Sequence, residues 1–96
     1  MKNLAWELAT CSDARIRNGK LAVKLAERAC ELTHYQQTIM VGTLAAAYAE
    51  AGQFEEACKT ARRAREIALA ADDTKVAARN GELLKLYESG KAYREP

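Results

Sequence analysis

The chain is predicted to be all-α, and three observations carry that expectation. Twenty of its 96 residues are alanine, the best helix former. Its single proline is the last residue, Pro96, so no ring interrupts a helix upstream. β-Branched and aromatic residues, which favour strands, are sparse, and apolar positions recur at the three-and-four spacing of a helix face. A chain this short makes one small domain and buries only about 60–65% of its unfolded surface. That excludes a large enclosed active site, though not a surface groove.

Period and punctuation place five helices. The first runs from about Lys2 to Cys11, with Leu4, Ala5, Leu8 and Ala9 on one face. A polar segment, Ser12 to Gly19, separates it from the second, from about Lys20 to Leu32, whose Ala22, Leu25, Ala26, Ala29 and Leu32 form a buried stripe. The third spans about Thr38 to Ala51 and stops at Gly52, a residue suited to a left-handed C-terminal cap. The fourth, from about Phe54 to Ala70, packs through Ala57, Ala61, Ala64 and Ala68, with Phe54 and Cys58 beside them. Asp72 and Asp73 offer an N-cap and favourable charge for the fifth, about Thr74 to Glu88, which ends at Ser89-Gly90. The tail, Lys91 to Pro96, is too short for an element of its own; Leu86, Tyr87 and Tyr93 offer a way to fold it back over the last helix.

Two helix pairs repeat. Ala22-x-x-x-Ala26-x-x-Ala29-x-x-Leu32 aligns with Ala57-x-x-x-Ala61-x-x-Ala64-x-x-Ile67, and Leu4-Ala5-x-x-Leu8 aligns with Leu44-Ala45-x-x-Tyr48. The second alignment is offset by five residues more than the first, so the first unit carries a longer turn. The second unit, Leu44-Ala45-x-x-Tyr48-x-x-x-Gly52-x-Phe54-x-x-Ala57-x-x-x-Ala61-x-x-Ala64, resembles the tetratricopeptide repeat family. Small residues at Ala45 and Ala57 let paired helices approach closely, Tyr48 and Phe54 fill the space between pairs, and Gly52 permits the tight turn. The first unit departs from the pattern, with Leu8 where the tyrosine is expected. The proline that follows the family's second helix is replaced by His34 and Leu69.

The resemblance implies an α-solenoid of stacked antiparallel helix hairpins: a first unit with a long turn at 1–36, a second at 37–71, and a capping helix with its tail at 72–96. Met1 aligns inside the first helix of a unit, and no capping residue precedes it, so the chain reads as a piece of a longer repeat array. The resemblance further implies non-catalytic protein–protein recognition or scaffolding. In similar proteins the first helices of successive units line a groove that holds a peptide. The groove residues expected here are Lys2, Trp6 and Ala9, then Ile39, Gly42, Thr43, Ala46 and Glu50, then Asn80, Leu84 and Tyr87. Trp6 is the one large anchor, either open as a binding hot spot or packed against the fifth helix, the 13–18 turn or a missing upstream repeat. The Lys/Asn clamp with which some family members hold an acidic peptide C-terminus is not present, because Trp6 stands where it needs an asparagine. The alternative is an end-capping or self-associating module with no peptide ligand, monomeric or weakly self-associating.

Other chemistries find little in the sequence. The net charge of +2 decides little by itself, but 15 basic against 13 acidic residues is nearly balanced, without the basic excess usual in nucleic-acid binders. The basic cluster Lys59, Arg62, Arg63 and Arg65 has Glu55 and Glu66 at four-residue spacing for local pairing, and reads as a solvated face. No apolar run is long enough to cross a membrane, and Glu7 interrupts what a secretory signal would need. Cys11, Cys30 and Cys58 lack C-x-x-C spacing and read as reduced core thiols of a cytoplasmic protein. The single histidine, His34, stands in a turn, and neither a metal site nor a cofactor motif is expected.

Overall fold

A computed structural model of the chain describes residues 4–15, 17–35 and 37–94. It holds five helices, α1 (Leu4–Thr10), α2 (Gly19–Leu32), α3 (Thr38–Glu50), α4 (Phe54–Ala70) and α5 (Thr74–Glu88), and no strand among the described residues. The sequence-derived ends of α2 to α5 agree to within a residue, while α1 stops one residue early, at Thr10. There the buried Thr10 hydroxyl donates back to the Trp6 carbonyl (2.7 Å).

Side chains start two of the helices. The Asn18 side chain accepts from Leu21 N–H and that of Asp73 from Val76 N–H, each at 3.1 Å, satisfying donors the helix cannot. α2 to α5 all end the same way. The residue after the C-cap is left-handed: His34 (φ 55°), Gly52 (φ 83°), Asp72 (φ 58°) and Gly90 (φ 76°). The next residue's N–H then reaches back five residues, from Tyr35 to Cys30, Gln53 to Tyr48, Asp73 to Ala68 and Lys91 to Leu86, at 2.8–3.2 Å. This is the Schellman motif, and it reverses the chain without proline. At Leu69, where the repeat pattern places that proline, α4 runs on to Ala70.

Small residues set the packing. Ala22, Ala26 and Cys30 of α2 and Ala57, Ala61, Ala64 and Ala68 of α4 are the buried residues of those helices. α3 is buried on nearly every side from Val41 to Ala49, because no charge falls between Thr38 and Glu50. Among the described residues each helix packs on its neighbours in sequence, α1 and α5 also touch α3, and no other pair of helices meets. α3 is therefore the central element, with α2 and α4 against it and α1 and α5 flanking a further face.

Candidate functional site

The face of α3 between α1 and α5 holds a pocket of about 270 Å³. Thr38, Ile39, Gly42 and Thr43 of α3 line it together with Trp6 of α1 and Val76, Arg79, Asn80 and Leu83 of α5. The polar lining is mostly committed internally. Thr43 Oγ1 donates to the Ile39 carbonyl (2.9 Å), Asn80 Nδ2 to the Val76 carbonyl (2.9 Å), and Thr38 Oγ1 crosses to the Ala64 carbonyl of α4 (2.8 Å). What remains offered is largely apolar: the Trp6 ring, the half-exposed Ile39, Val76 and Leu83. The volume lies just below the range of about 300–1,000 Å³ for small-molecule sites and suits one or two inserted side chains.

The other half of this face is covered by the segment after α5. Residues 91–94 are not helical, yet Ala92 and Tyr93 pack against the core cluster of Ala45, Ala49, Leu83, Leu84 and Tyr87. The Tyr93 ring lies 5.8 Å from that of Trp6, with the Arg79 guanidinium 4.8 Å over it. Arg94 reaches Glu50 on the last turn of α3 (3.0 Å), and Arg17 approaches the same carboxylate oxygen (3.5 Å). Glu50 Oε1 and Arg17 Nε are both buried and make no well-formed hydrogen bond.

The expected groove residues divide accordingly. Trp6, Ile39, Gly42, Thr43 and Asn80 do line the pocket. Ala9 (0% exposed), Ala46 (1%), Leu84 (6%) and Tyr87 (1%) do not: they turn into the core, since α3 and α5 bury more of their circumference than one groove-facing stripe implies. Glu50 sits beneath the tail with its two arginines, and Lys2 lies outside the described residues. Sequence reasoning missed Val76 and Leu83, which the three-and-four spacing around Asn80 does signal, and it missed Arg79 in the lining and Tyr93 and Arg94 as groove occupants.

The remaining chemistry is subdued. Burial pushes the Cys30 and Cys58 thiols up, keeping them protonated and weakly nucleophilic near neutral pH. No hydrogen bond joins His34 to Cys30 among the described residues, and no group of three or more His, Cys, Asp or Glu there could hold a metal ion. Among the described residues no helix is long and apolar enough to cross a membrane. Three of the four residues of the basic cluster are engaged: Lys59 pairs with Glu55 and Glu56 (3.7 and 3.8 Å), and Arg63 lies 4.9 Å over the Tyr35 ring. Arg62 pairs with Glu88 of α5 (3.4 Å) rather than with the expected Glu66 on its own helix. Compared with protein-family models, characterised proteins and solved structures, the chain matches none of them.

Proposed function

We propose that the chain is a non-catalytic protein–protein recognition module, built as two tetratricopeptide-like hairpins and a capping helix stacked in a short solenoid. The observation that carries this reading is the apolar pocket on α3 between Trp6 and the Val76–Leu83 face of α5. Its ligand is an extended segment of a protein partner, which lays one or two apolar side chains beside Trp6 and Ile39. The neighbour-by-neighbour helix contacts and the small-residue stripes at Ala45, Ala57, Ala61 and Ala64 support the repeat reading. The free thiols fit a reducing, cytoplasmic setting.

Selection of a random-sequence peptide display library on the immobilised chain tests the function. Enriched peptides lose at least tenfold in affinity on Ile39→Asp, an exposed position, and on Trp6→Ala, with far-UV circular dichroism unchanged. If no peptide is enriched, or if both substitutions leave binding intact, the reading is wrong.

A second reading, end-to-end self-association of repeat units, is favoured by Leu32 and Leu69, 74% and 52% exposed at the C-terminal ends of α2 and α4. Light scattering decides it: a strict monomer at high concentration removes it.

A further inference from the structure

We infer that the groove recognises an extended segment in which an aromatic residue is followed directly by arginine, and that the chain's own tail, Lys91 to Arg94, occupies it in cis. The inference rests on the groove being a peptide-binding site, and deepens that reading by naming the ligand chemistry and a means of regulation.

The tail behaves as a ligand, not as an extension of α5. Gly90 is left-handed and ends the helix, and the chain then crosses the α3 face to reach α1, a helix that α5 itself does not touch. Two consecutive tail side chains meet matching groups. The electron-rich face of Tyr93 takes the Arg79 guanidinium at 4.8 Å, while its ring packs on Trp6 at 5.8 Å. One residue on, Arg94 meets the carboxylate of Glu50, whose side chain is 15% exposed. An aromatic pocket followed by an acidic one, one residue apart, defines the aromatic–arginine preference.

Two features make the tail displaceable. Glu50 Oε1 makes no well-formed hydrogen bond although Arg94 stands 3.0 Å away, so an arginine arriving at better geometry improves on it. The tail also leaves the 270 Å³ pocket between Ile39 and Val76 unfilled, and a longer partner segment adds an apolar side chain there. Against this, the tail has an effective concentration of order millimolar through its direct attachment to α5. Burying one further side chain, worth about ten- to a hundredfold in affinity, lets a partner compete at about 10–100 µM.

The test uses the full chain and a fluorescein-labelled synthetic peptide of residues 89–96, read by fluorescence anisotropy. The tail variant Tyr93→Ala/Arg94→Ala binds this peptide at least tenfold more tightly than the wild-type chain does. Adding Trp6→Ala or Glu50→Gln to the tail variant returns binding to the wild-type level. Trp6 is the only tryptophan, so its acrylamide quenching reports the groove directly: it rises in the tail variant and falls again on adding peptide. Equal affinity for wild type and variant, or unchanged quenching, overturns the inference. If the double variant loses helix content, Arg94→Glu, which sets two carboxylates against each other, gives the same readouts. Peptide-library selection on the tail variant separates the two levels. Trp6-dependent binders without an aromatic–arginine pair overturn this inference and leave the groove standing; no Trp6-dependent binder at all overturns both.

Discussion

Gly19→Ala should weaken the fold although glycine at a helix start is ordinarily a poor choice. Gly19 opens α2 where it meets the end of α3, and a Cβ there would stand 2.7 Å from Ala51 N, 2.8 Å from the Glu50 carbonyl carbon and 2.9 Å from Ala51 Cα. Comfortable contact begins near 3.5 Å, so α2 must retreat by about 0.8 Å. None of the three atoms can swing aside, because all are backbone and Ala51 N–H is tied to the Ala47 carbonyl (3.0 Å). Overpacking of this kind costs about 1–3 kcal/mol, against at most about 1 kcal/mol returned by alanine's helix preference. The net loss of about 1–2 kcal/mol lowers Tm by roughly 4–16 °C for a domain of this size. Urea denaturation followed by far-UV circular dichroism reads it as a lower midpoint at constant slope. Two controls isolate the cause. Gly81 has only the flexible Arg65 side chain at 3.8 Å, so Gly81→Ala stabilises by up to about 1 kcal/mol. Gly52 has nothing within 4 Å but φ +83°, so Gly52→Ala costs about 1 kcal/mol through backbone strain alone, and Gly52→Asn recovers part of it. A Gly19→Ala midpoint at or above wild type would refute the close-approach argument.

Asn18→Ala and Asp73→Ala each remove a cap bond of 3.1 Å and should cost about 1 kcal/mol in urea unfolding, with Asp73→Asn retaining most of its share. His34→Gly relieves a left-handed histidine after α2 and should raise the midpoint by about 0.5–1 kcal/mol, a gain trimmed by glycine's looser unfolded state. Tyr87→Phe should be neutral or stabilising by about 1 kcal/mol, because the buried hydroxyl has no hydrogen-bond partner among the described residues; a clear loss would reveal one. Tyr48, whose hydroxyl donates to Glu27 (3.1 Å), is pushed up to about 12, first by burial and then by that bond. The folded chain thus keeps a proton that the unfolded chain gives up near pH 10. This contribution is complete below pH 10 and lost between 10 and 12, so the urea midpoint of Tyr48→Phe should fall less steeply over that window than that of wild type.

The helices were legible because alanine stripes, capping residues and glycine stops all lie within a few residues of what they control. Two of the four left-handed helix ends, Gly52 and Gly90, announced themselves by residue type. His34 and Asp72 did not, because nothing in a histidine or an aspartate distinguishes a strained C-terminal position from an ordinary turn residue. The pocket half of the groove was readable at Trp6, Ile39, Thr43 and Asn80, since helical spacing fixes which residues share a face. Ala46, Leu84 and Tyr87 share nearly the same face and went the other way, because whether a position is open depends on what packs over it. Tyr93 and Arg94 lie beyond the last periodic segment, and periodicity says nothing about where an irregular tail returns. Arg62 shows the same limit: its partner Glu88 is 26 residues away, across two helices, whereas Glu66 at four residues was the local choice.

Glu50 is a poor residue for the stability of α3 taken alone. It stands at the negative end of the helix dipole, which disfavours a carboxylate by about 0.3–1 kcal/mol at exposed positions, and its side chain is largely desolvated as well. The five extra residues of the first turn answer part of this. α1 lacks the Schellman ending of the other helices, and the turn meets its end instead: Asn18 N–H donates to the Leu8 carbonyl of its last turn (2.7 Å), and Arg17 donates to the carbonyls of Cys11 (2.8 Å) and Ser12 (3.3 Å) just beyond it. The same guanidinium then turns its Nε toward Glu50, and Gly19, two residues on, lets the α2 start close against Ala51. The longer turn is therefore not slack. It closes the end of α1 and delivers one cation to the end of α3, while Arg94 of the tail delivers a second. One end of the α3 face is held by charge and the other is open and apolar. Moving the tail must then change the environment of Glu50 and Arg17 as well as that of Trp6, which couples the groove to the turn that fixes α1 in place.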